Sequence, residues 1–270
     1  MSTESGKAMF SLAQYEAVMG EIETGTKTFE AKLAEVIPAA DSVSSQWYVN
    51  HVLAELLQWI ARKTVEVGTE ILNFIRDVLK GATAPIFMFM DAYKWTDFKA
   101  AANGVSADVT TQNLVIDNSD WSGKGHEAYL GAAAAQSAAA GRIGSVAKSV
   151  SDNLMLCAGA GLAFYVVVAG VIAKLIVEVA AATAAISSAV FSAVGAMIFL
   201  ESGAVNTMAI ATAVGALAAF LGTQVNALIT LHGEAVDPTS FPNGVWPNSN
   251  SAQYNDGTVN DGDADWSLKD

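Results

Sequence analysis

Between Leu154 and Leu231 the chain carries only three charged side chains, Lys174, Glu178 and Glu201, amid alanine, valine and glycine. The charges leave three uncharged runs, 153–173, 179–200 and 202–231. Each is long enough to cross a bilayer core, which takes about 20 helical residues. A strand reading would need alternating polarity framed by paired turns, and these runs have neither. The region therefore reads as helices that must pack on one another or enter lipid. Its many small residues, Gly159 and Gly161 among them, permit close helix–helix approach in either setting.

The rest of the chain is also patterned for helices. Only Pro85 lies between Asp41 and Asp237, so little stands in the way of long helical segments. Leu12, Tyr15, Met19, Ile22, Thr26, Phe29, Leu33 and Val36 alternate spacings of three and four, a heptad seam weakened by Gly20 and Gly25. "IPAADSVSSQW" (37–47) reads as a connection. A second seam follows through Val49, Leu53, Leu56, Ile60, Thr64, Val67, Ile71, Phe74 and Val78, with Gly81 as a stop. A third runs through Trp95, Phe98, Ala102, Val105, Val109, Gln112 and Ile116, and a fourth through Tyr129, Ala132, Gln136, Ala139, Ile143, Val146 and Val150.

Helices joined by short connections should pair antiparallel. The expected fold class is all-α: elongated helical hairpins forming a bundle, an apolar Ala-rich helical hairpin, and a disordered acidic C-terminal tail. The boundaries read as an N-terminal hairpin over 1–81, a second hairpin over 85–153, apolar helices over 154–232 with a break at "ESGAVN" (201–206), and the tail over 233–270. The tail is rich in Asn, Asp, Gly, Ser and Pro, and sets seven acids against Lys269 alone.

Composition removes several function classes. The net charge of −13 argues against nucleic acid as a partner, since phosphate backbones reward clustered cations. Cys157 is the sole cysteine, so neither an internal disulfide nor a thiolate metal cluster is expected. "HEAYL" (126–130) starts like a zinc-protease helix but lacks the second histidine. "DGDAD" (261–265) spaces its aspartates like a calcium loop, yet Trp266 stands where glycine should make the turn. No nucleophile elbow and no phosphate loop occur. The expectation is a protein that is not an enzyme and needs no cofactor.

The connection between the third and fourth seams reads "DNSDWSGKGHEAY" (117–129). Asp120 or Ser122 can cap the fourth helix, while Gly123 and Gly125 add little bulk where the chain reverses. The Trp121 indole can cover the apolar ends of such a hairpin with its N–H at the rim. On these residues, Trp121, Ser122 and Gly123 followed by Gly125, Ala128 and Tyr129, the stretch from Pro85 to Leu154 resembles the WXG-motif superfamily of type VII (ESX) secretion substrates and their associated proteins. The resemblance implies helical hairpins exported folded, without a cleaved signal peptide, with the secretion machinery or a chaperone as partner. The N-terminal residues show no basic region followed by an apolar one, so a general-secretory signal is not expected. The same resemblance implies a second export signal, Tyr–x–x–x–Asp/Glu, which Tyr93 and Asp97 match, although they precede Trp121 instead of following it.

Lys174 and Glu178 stand four apart on one helical face and can pair. Inside a membrane such a pair would be costly and functional; in a soluble bundle it would be a surface contact. Two placements stay open: a secreted or envelope-associated protein acting through helical surfaces or membrane insertion, and a resident integral membrane or pore-forming protein with two or three spans in 154–231. Expected partners are the type VII machinery or a chaperone, membrane lipid, and a second copy or another helical protein.

Overall fold

The computed structural model describes residues 10–110, 114, 124–188 and 193–248. Among the described residues five helices run in chain order: α1 (Leu12–Ser44), α2 (His51–Leu79), α3 (Ala84–Asp108), α4 (Lys124–Ser187) and α5 (Ala193–Ala235), followed by a 3-10 turn at Pro242–Gly244. No strand occurs among the described residues. The all-α class holds.

Local chemistry sets the helix ends. The Ser11 hydroxyl accepts from Gln14 N at the start of α1, and Asn50 Oδ1 accepts from Leu53 N at 2.9 Å at the start of α2. Each satisfies one of the backbone donors that a helix leaves unpaired at its N-terminus. Three expected boundaries are corrected. Residues 37–44 are helical, because Pro38 and Ala34 both lie on the exposed face of α1, where water can take the carbonyl that proline cannot bond. Helix α4 passes through 153–154 without a break, so the second hairpin and the apolar region share one helix. Helix α5 passes through 201–206, the expected break.

The chain divides into two compact units, Met1–Phe89 with Met155–Gly222, and Met90–Leu154 with Thr223–Asp270. In the first, α1 and α2 pair antiparallel. Arg76 meets Glu30, and Gln58 Nε2 donates to Asp41 Oδ1 at 2.6 Å. Ile22, Phe29, Leu33 and Val36 of α1 are buried with Leu57, Ile60, Ile71 and Ile75 of α2. Each such side chain contributes about 1.5–3 kcal/mol relative to exposure. The first turns of α2 depart from the expected seam: Leu57 is buried and Leu56 is turned outward, 40% exposed. The same core takes a stripe of α4, with Val168, Ile172, Leu175, Val179, Ala182 and Ile186 at spacings of three and four. Tyr15 stands edge-on to Tyr165, and its hydroxyl donates to the Ala82 carbonyl; Tyr165 does the same to Val78 at 3.2 Å.

In the second unit α3 and α4 pair antiparallel on small side chains. Ala92 and Ala102 of α3, with Ala133, Ala140, Ala147 and Ser151 of α4, are buried. Ser151 Oγ donates to the Ala92 carbonyl at 2.8 Å, and Ser106 and Ser137 exchange hydroxyl-to-carbonyl bonds of 2.8 and 2.6 Å. The third seam is thereby corrected. Phe98 and Val105 point outward, 50% and 45% exposed, because the two helices meet on small and polar side chains, alanine, serine and threonine with Asn103 against Gly144. The end of α5 and the start of the tail join this unit. Arg142 approaches Asp237 at 3.6 Å, and Gln136 Nε2 donates to the Pro247 carbonyl at 2.9 Å. The tail is therefore docked over its described part; 249–270 lie outside the described residues.

Candidate functional site

Among the described residues of the apolar helices, a polar clasp joins α4 and α5. Lys174 Nζ lies 3.4 Å from Glu178 Oε1, one helical turn along α4. Glu178 Oε2 accepts from Asn206 Nδ2 of α5 at 2.7 Å. Exposure grades steeply across the three: the Lys174 side chain is 52% exposed, that of Glu178 15%, and Asn206 as a whole 2%. The lysine stem can reach water while its ammonium offsets the carboxylate. A hydrogen bond to an ionised group is stronger than a neutral one, so this contact fixes α5 against α4 at one level.

The sequence pairs Lys174 with Glu178 by spacing, and the structure brings them together. Asn206 was missed as a partner because it falls in the expected break. Its signal is being an amide well inside a long uncharged run, a feature that Gln224 and Asn226 share. Such a group is costly to bury unless something accepts from it.

Tyr93 and Asp97 sit on α3, separated by one turn and both exposed, so a partner could reach them. Trp121 and Gly123 lie outside the described residues. On either side of them α3 and α4 run antiparallel, with Ser106 facing Ser137 and Thr96 facing Ser151.

Two helical stretches among the described residues are long and apolar enough to cross a membrane, Gly125–Ser187 and Val205–Ala235. They differ in cover: 44% of the most apolar window of the first is buried, against 11% for the second. On α5, Met208, Val225, Leu228 and Ile229 are more than half exposed. A helix whose uncharged run, 202–231, is left this bare in water asks for lipid or another protein surface. An apolar cavity of about 260 Å³ also lies in the first unit, lined by Val78, Pro85, Met88, Cys157, Phe164 and Leu217 among others. Its polar side-chain atoms are the Cys157 thiol and the Tyr165 hydroxyl, which donates to the Val78 carbonyl.

Among the described residues, no group of three or more His, Cys, Asp or Glu side chains could hold a metal. No family profile, curated protein or solved structure matches the chain.

Proposed function

We propose that this chain is a non-enzymatic substrate of a type VII (ESX) secretion system, exported folded, that acts outside the cytoplasm by laying or inserting its apolar helices into a membrane. The observation that carries the export half is the antiparallel pairing of α3 and α4 on either side of the Trp–x–Gly segment. Hairpins of this kind are what the resemblance implies for exported members. The membrane half rests on α5, where only 11% of the most apolar window within Val205–Ala235 is buried. Trp121 and Gly123 serve as the export motif, and Tyr93 with Asp97 offers the machinery or a chaperone an accessible second contact.

Export is the test. In a strain whose type VII machinery is required for release, Trp121→Ala and Gly123→Leu should each hold the chain in the cells at unchanged expression. Release of both variants at the wild-type level would overturn the reading.

One observation favours a second reading, a resident integral membrane or pore-forming protein: both apolar stretches are long enough to span. Carbonate extraction of expressing cells separates the two. A resident protein stays in the membrane pellet, whereas an exported bundle is recovered in the medium or stripped from the envelope.

A further inference from the structure

The outer face of the α1–α2 hairpin changes character at its tip. Along most of its length it is charged and paired, by Lys27–Glu23, Lys32–Glu35, Lys63–Glu66 and Arg76–Glu30. At the tip it is aromatic and aliphatic. Trp47 is 93% exposed, Val52 75%, Tyr48 52% and Trp59 48%, with the Trp47 and Tyr48 rings edge-to-face at 5.9 Å. Val52, Leu56 and Trp59 make an exposed apolar stripe on α2, flanking the side on which Leu57 and Ile60 are buried. That stripe ends one turn after Trp59 at Lys63, so the patch caps the end of the hairpin and does not run along it as a groove.

We infer that this tip is a lipid-seating surface that dips into the interface of an uncharged bilayer beside the end of α4. The inference rests on the membrane half of the proposed function and names a contact point for it. Two observations choose lipid as the occupant. The first is charge: no Lys or Arg lies between Lys32 and Arg62, and the charged side chains there are Glu35, Asp41 and Glu55. An anionic surface, which attracts clustered cations, would repel this end. Indole and phenol rings instead settle at the headgroup level of neutral lipid, with apolar bodies inward and N–H or O–H groups in the wet layer.

The second is continuity with α4. Within the first unit α4 runs in the same direction as α1, with Tyr165 beside Tyr15 and Ile172 beside Gly25. Advancing along both helices at equal rise brings Ser187, the last residue of α4, about level with Ala40. The turn at 45–50 therefore lies past the level of Ser187, and the sequence from Val179 to Leu200 is uncharged; 189–192 lie outside the described residues.

The test floats the full-length chain with phosphatidylcholine vesicles on a density gradient, beside a Trp47→Ser/Trp59→Ser variant checked for unchanged helix content. Trp47 is almost wholly exposed and Trp59 about half, and neither belongs to the buried core, so the variant should keep the fold. The wild-type chain is expected to float, less so when phosphatidylglycerol is added, and the variant to lose about tenfold or more in bound fraction. Equal flotation of both would overturn the tip assignment and leave the membrane reading standing. If neither floats, both fall. A variant of lower mass than the wild type without lipid would give the tip to a second copy and also overturn the proposal.

Discussion

A β-carbon added at Gly25 would lie 2.7 Å from Ile172 Cγ2, on a β-branched side chain that is 1% exposed; at Gly20 it would meet nothing within 4 Å. Gly20→Ala should therefore gain up to about 1 kcal/mol from helix propensity alone. Gly25→Ala gains the same propensity but must push α1 off α4, an overpacking cost of about 1–3 kcal/mol. Thermal unfolding should show the first variant melting above the wild type and the second below it. Tyr15 gives a pH dependence. Burial, then the neighbouring Tyr165, holds its hydroxyl far above the ordinary tyrosine value of about 10. The unfolded chain ionises first, so this contribution is complete below about pH 10 and is lost as the pH climbs further. Melting temperature should fall above pH 10, and Tyr15→Phe should lessen the fall.

At the scale of elements, the α1–α2 hairpin was legible because its seam is made of large apolar side chains, and their alternation of threes and fours fits a helix and not a strand. Ile22, Phe29, Leu33, Ile60 and Ile71 were all placed correctly by periodicity. The α3–α4 pair was legible as a hairpin but not in its facing. Large side chains mark a core by default, and here Phe98 and Val105 lie outside while alanines and serines touch. Close approach on small residues leaves a weak signature in an alanine-rich sequence. Proline at 38 misled for a different reason: a helix tolerates it on a wet face, and one sequence does not say which face is wet. The α4–α5 clasp had half its signal in the Lys174–Glu178 spacing, while Asn206 comes from another helix and only the fold supplies it. Replacing Asn206 by leucine leaves the Glu178 carboxylate short of a donor. It should cost about 1–3 kcal/mol, and hydrogen exchange should show faster opening of α5 around position 206 in Asn206→Leu than in wild type.

The whole molecule faces one demand that its parts do not. An exported bundle must be stable in water before it meets lipid, although α5 carries an apolar face that seldom stays unpaired in a soluble monomer. On that reading the charged outer face of α1 and α2 and the net charge of −13 would supply the solubility, and pairing of α5 faces between copies would cover the rest. Sedimentation of the purified full-length chain in detergent-free buffer tests this most directly. The expected result is a helical species that stays in solution at a single mass, that of a small oligomer. A chain that pellets without detergent and dissolves only in micelles would contradict export as a folded bundle, and would mark a protein that never leaves the bilayer.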